Sequence, residues 1–68
     1  MNIKEKLQFF IDNGMSISYI AEKMGVNYST LSKWLKGQKN ISRKNEELVF
    51  VTLQKIVEIF QQKMEDNL

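Results

Sequence analysis

Apolar positions along the chain fall into short stretches of helical periodicity separated by single breaking residues. Ile3, Leu7, Phe10 and Ile11 recur at the spacing of one helical face, which predicts a helix over residues 3–13. Asn2 is a fair cap for it, Glu5 completes a capping-box arrangement, and Asn13-Gly14 ends it. Ile17, Ile20, Ala21 and Met24 repeat the pattern in a second helix, opened by Ser16 and stopped by Gly25. A third helix is predicted from Tyr28 to about Lys36, capped by Asn27 and ended at Gly37, with Leu31, Trp34 and Leu35 inward. After the polar connection 38–41 no breaker occurs, so one long helix is expected over about 42–65. Its start has two candidates. Ser42 is a normal cap but sets Arg43 and Lys44 against the helix dipole, whereas Asn45 puts Glu46 and Glu47 in the favourable first turn. The fold class is all-α, a single domain over residues 1–68 built from about four helices.

Composition narrows the chemistry. The 68 residues include no cysteine, histidine or proline. Disulfides are excluded, no metal site or cofactor is expected, and schemes that need a catalytic His or Cys are ruled out. A domain this short buries only about 60% of the surface of its unfolded chain, so its stability comes from apolar packing or a second chain. No stretch is apolar and long enough to span a bilayer and no secretory signal is visible, which makes the cytoplasm the expected location. The formal charge of +2 conceals an asymmetry. Residues 23–45 carry Lys23, Lys33, Lys36, Lys39, Arg43 and Lys44 with no acid, while both flanking thirds are net acidic. Such a distribution points to a polyanion facing the middle of the chain.

Between the second and third predicted helices lie only Gly25, Val26 and Asn27. Two helices of about eight residues joined by three, glycine first, describe a helix-turn-helix over residues 17–37. Ala21 is small where the helices must approach, Gly25 makes the turn, and Ile20, Met24, Val26, Leu31 and Trp34 supply the apolar groups that fix their angle. On these residues the stretch from about 3 to 45 resembles the helix-turn-helix of the Cro and lambda-repressor type (Cro/C1, or XRE-type). Trp34 belongs to the core rather than to a stacking platform, because it shares a face with Leu31. The resemblance implies that the third helix lies in the major groove of double-stranded DNA with its first turn against base edges. Asn27, Tyr28, Ser29, Ser32 and Lys33 are then the candidates for base contact. Many relatives have Gln at the position of Tyr28; a tyrosine there would read less by hydrogen bonds and more by thymine-methyl contact. Lys33 reaches either guanine or a phosphate. Candidates for phosphate contact are Ser16 and Ser18 at the start of the second helix, with Lys36, Lys39, Arg43 and Lys44. For Tyr19, partial burial and a phosphate hydrogen bond are both open.

The family usually continues with two further short helices, and this chain departs from it with one long apolar pattern. Val49, Leu53, Ile56 and Phe60 form a stripe sufficient to close the core. Leu48, Phe50, Val51, Val57 and Ile59 then fall on other faces, which predicts a homodimer covering them. A dimer implies a palindromic operator with half-sites about 34 Å apart. The competing class is a protein-interaction module, antitoxin-like or anti-repressor, built on the same core without DNA. The acid-free third helix argues against it. An enzyme is the weakest reading, because Asp12, Glu22, Glu46 and Glu47 lie apart with no phosphate loop or metal-ligand spacing. No small-molecule ligand is expected. The resemblance and the short chain together imply a transcriptional regulator, repressor-like, of bacterial, phage or plasmid origin, acting by operator occupancy.

Overall fold

Four side-chain caps open four helices. The computed structural model describes residues 2–66, comprising α1 (Ile3–Asp12), α2 (Ile17–Met24), α3 (Tyr28–Leu35) and α4 (Arg43–Glu65), with no strand among the described residues. Asn2 and Glu5 form a reciprocal capping box: Asn2 Oδ1 accepts from the Glu5 N–H at 2.9 Å, and Glu5 Oε1 accepts from the Asn2 N–H at 3.2 Å. Ser16 Oγ accepts from the Tyr19 N–H at 3.0 Å, and Ser42 Oγ from the Asn45 N–H at 3.1 Å. The long helix therefore starts at Ser42, not Asn45. Its hydroxyl bond and the extra turn outweigh the unfavourable placing of Arg43 and Lys44, two exposed charges whose dipole penalty solvent screens.

The breaks are as specific as the starts. After α2, Gly25 adopts φ 74° and ψ 27°, the left-handed conformation that lets the chain turn back within one residue. Its N–H donates to the Glu22 carbonyl at 3.1 Å and the Val26 N–H donates to the Ala21 carbonyl at 3.0 Å. This pair of bonds satisfies the end of α2 and aims the chain at Asn27, where α3 begins. The same pair closes α3, from Gly37 to Trp34 and from Gln38 to Lys33.

The core draws on every helix: Leu7 from α1, Ile20, Ala21 and Met24 from α2, Leu31 and Trp34 from α3, and Val49, Leu53 and Ile56 from α4. α2 is packed against both α3 and α4, and α1 lies along α4. Val26 and Leu35 pack partly buried against this cluster. Two expectations for α4 change. Leu48 is partly buried against the core rather than turned outward. Phe60 does not close the core, being 50% exposed, and Thr52 is the further buried α4 residue instead. The cause is length. A helix of 23 residues runs about 35 Å, while the body measures 23 × 22 Å across. The last turns of α4 thus outrun the helices that would cover them.

Candidate nucleic-acid interface

The start of α3 is the best-defined part of the candidate surface. Asn27 has extended backbone angles and its Oδ1 accepts from the Ser29 N–H at 2.8 Å. That bond engages the amide oxygen, so Asn27 faces outward with its Nδ2 hydrogens, a donor suited to base or phosphate acceptors. Tyr28 follows, 52% exposed, and Ser29 and Lys33 are exposed on the same helix. Lys36, just past the last turn, continues this face. From Asn27 to Lys36 there is no acidic side chain.

Ser32 does not belong to this surface. It is 8% exposed, on the shoulder of the stripe formed by Leu31 and Trp34. Helical spacing sets Ser32 in one row with Tyr28 and Lys36, both exposed, but Ser32 itself is closed off, so it is not available for the base contact expected of it. The structure therefore gathers Asn27, Tyr28, Ser29 and Lys33 at one exposed site and withdraws Ser32.

A second element adjoins it at the start of α2. Ser16 and Ser18 are exposed, and the cap at Ser16 takes the Tyr19 N–H. The first amides of α2, at Ile17 and Ser18, have no carbonyl one turn earlier in the helix to bond, and a helix start of this kind favours an anion. The Ser16 hydroxyl still has its own proton to donate. Tyr19 packs partly buried against the core, its ring 6.3 Å from that of Phe60, and Lys23 Nζ stands 5.4 Å from the Tyr19 ring centroid. Lys23 and Tyr19 stand one turn apart on α2, so this cation lies over the ring that also meets Phe60.

The connection from α3 to α4 carries Lys39, Arg43 and Lys44, all exposed. They are not equivalent. Arg43 shares a notch with Ile3, Glu46, Glu47 and Phe50, and Lys44 lies beside Glu47 and Leu48. Both notches therefore also hold acidic residues. Lys36 and Lys39 stand in a segment with no acid. At the N-terminal end, Lys4 Nζ lies 5.8 Å from the Trp34 ring centroid and spreads positive charge over the back of α3. Among the described residues no cluster of acidic side chains could hold a metal ion, and no helix is long and apolar enough to cross a membrane.

Two short helices held by a glycine turn, an exposed first turn on the second of them, and an acid-free cationic flank define a helix-turn-helix domain. Residues 3–45, well over half of the chain, match the family model described as Helix-turn-helix, and the chain belongs to that family, of the Cro/C1 type. It is a DNA-binding family of transcription-regulator type, not an enzymatic one. No curated protein and no solved structure gives a significant match to the chain.

Proposed function

We propose that the chain binds a specific duplex DNA sequence through α3 and regulates transcription, repressor-like, by occupying its operator. The observation that carries this reading is the exposed first turn of α3, with Asn27, Tyr28 and Ser29 presented beside Lys33 and no acid among them. Lys36, Lys39, Arg43 and Lys44, with the start of α2 at Ser16 and Ser18, supply phosphate contacts that position the helix without reading sequence. A homodimer on a palindromic operator, in the cytoplasm where the DNA lies, completes the proposal. An interaction module without DNA would leave the cationic face of α3 unexplained.

The test is a selection from random duplex DNA followed by variants of the first turn. Tyr28→Ala and Lys33→Ala should keep the helical circular-dichroism signal and melting of the wild type. Each should lose about 1–3 kcal/mol of discrimination at particular positions of the selected site. If both variants bind the selected site as the wild type does, α3 is not the reading helix.

A further inference from the structure

The turn between α1 and α2 carries chemistry that the DNA-binding reading does not use. Asparagine is thermolabile because its side-chain amide can be attacked by the main-chain nitrogen of the next residue. A side chain on that next residue obstructs the approach, and glycine has none. Of the six asparagines, Asn13 alone precedes a glycine. Asn2 and Asn40 precede isoleucine, Asn27 tyrosine, Asn45 glutamate and Asn67 leucine. Asn13 and Gly14 are both exposed, and a Cβ on Gly14 would meet nothing within 4 Å, so that side of the turn is open.

The folded turn restrains the atoms that would react. Asn13 Nδ2, the group that has to leave, donates to the Phe9 carbonyl at 2.8 Å. The Gly14 N–H, which has to lose its proton, donates to the Ile11 carbonyl at 3.0 Å. At the Asn13 ψ of 19° the Gly14 nitrogen is also turned away from the side chain on which it must close. Attack therefore requires the last turn of α1 to open. Helix ends are where such opening costs least.

We infer that Asn13-Gly14 is a self-modification site, gated by the end of α1, that converts Asn13 to aspartate or isoaspartate. Once the turn opens, the Gly14 nitrogen attacks Asn13 Cγ as its proton passes to solvent. The N–Cγ bond forms, the Cγ–Nδ2 bond breaks, and Nδ2 leaves as ammonia with a proton taken from solvent. One water then opens the five-membered ring. Hydrolysis at Cγ gives aspartate, and hydrolysis at the main-chain carbonyl of residue 13 gives isoaspartate, with the chain now running through the side chain. The balance is one water in and one ammonia out.

The product alters the candidate interface, a consequence that rests on the DNA-binding reading above. A carboxylate takes the place of the donor to Phe9 and faces a carbonyl at the negative end of α1, whose last turn carries no cation. Asn13 and Ser16 line one notch of about 410 Å³, so the new charge stands beside the start of α2, where a phosphate is expected. Isoaspartate also adds a carbon to the main chain between α1 and α2. Both products weaken DNA binding, while Asn27, shielded by the side chain of Tyr28, keeps the cap of α3.

The experiment incubates the full chain in mildly alkaline buffer, with and without urea, and maps the products by peptide mass after trypsin. The peptide Leu7–Lys23 contains Asn13 and no other asparagine. Aspartate and isoaspartate should accumulate there first, and at least about tenfold more slowly in the folded chain than in urea, because the reaction waits for local opening. Gly14→Ala in urea, where folding plays no part, should stop product forming over the wild-type interval. Asn13→Asp stands for the finished product. Well below its Tm it should raise the dissociation constant for duplex DNA about two- to fivefold at low salt, a deficit that shrinks as salt screens the added charge. Absence of product in urea, or product first at another asparagine, overturns the site. Equal rates with and without urea overturn the gate, and wild-type DNA binding by Asn13→Asp overturns the consequence for the interface. The masses are read without DNA, so a chain that prefers no duplex sequence sinks the DNA reading and leaves the site standing.

Discussion

Replacing Gly25 isolates the energy of the turn that orients α3, because a side chain there meets nothing. A Cβ built on Gly25 has no heavy atom within 4 Å, so no steric collision contributes. What remains is the backbone at φ 74°. For a non-glycine L-residue the left-handed conformation costs about 1–2 kcal/mol, partly offset by the about 0.4–1 kcal/mol that a side chain gains by restricting the unfolded chain. Gly25→Ala should therefore destabilise by about 1 kcal/mol, or about 4–8 °C in Tm for a domain of this size. Gly25→Asn should lose less, since asparagine visits this conformation more readily. Gly25→Val should lose most, its branched Cβ crowding the backbone. Far-ultraviolet circular dichroism melts give the order: wild type, Asn, Ala, Val. The Schellman bonds from Gly25 and Val26 use backbone atoms alone, so variants that remain folded should bind the selected DNA site normally well below their Tm. An Ala variant melting at or above the wild type, or Asn falling below Ala, would refute the left-handed turn. Normal melting with abolished DNA binding would refute the claim that only the backbone cost is at stake.

Two further expectations concern the core and the cationic flank. Ala21, 2% exposed on the second helix, has no room to grow, so Ala21→Leu should cost about 1–3 kcal/mol, read as a lower denaturation midpoint in urea. Replacing Lys36, Lys39, Arg43 and Lys44 one at a time with Gln should weaken binding to all DNA sequences alike. Every phosphate left without its cation should lower the salt slope by about one. The reduction should be smaller for Arg43, which shares its notch with Glu46 and Glu47, and an unchanged slope after all four changes would remove the phosphate role.

The parts of the fold that were legible in the sequence are those governed by neighbours in the chain. Asn2, Ser16 and Asn27 cap helices through bonds reaching two or three residues ahead, and Gly14, Gly25 and Gly37 follow the helices they end. Their identities alone carry the information. Ser42 against Asn45 was not decidable in this way, since a cap bond competes with a diffuse dipole term of similar size. Phe60 was misplaced for a different reason. Periodicity assigns a residue to a face of its helix, but not whether another helix reaches far enough to cover it. Ser32 shows the same limit: helical spacing sets it in a row with exposed Tyr28 and Lys36, yet it is 8% exposed. At the candidate site, the exposed set around Asn27, Tyr28, Ser29 and Lys33 could be named from the pattern. The approach of Lys23 to Tyr19 was open to the same reading, since the two stand one turn apart in a helix the pattern predicts.

The bond from the Ser29 N–H to Asn27 Oδ1 has a consequence for how this chain's binding preference can change over generations. One side chain holds α3 at its first turn and, in the DNA-binding reading, offers its two amide hydrogens to the groove. Serine or aspartate could keep the cap. Serine would have only a hydroxyl proton to offer, and aspartate would set a negative charge against the DNA. Hydrophobic or long polar residues would sacrifice about 1 kcal/mol of helix stability before any new base could be read. Mutational drift at this position is therefore taxed twice. At Tyr28 and Ser29 it is not, because the Ser29 amide that donates to the cap belongs to the backbone whatever side chain the residue bears. New specificities are most accessible through those two neighbours, with Asn27 as the fixed pivot around which they vary.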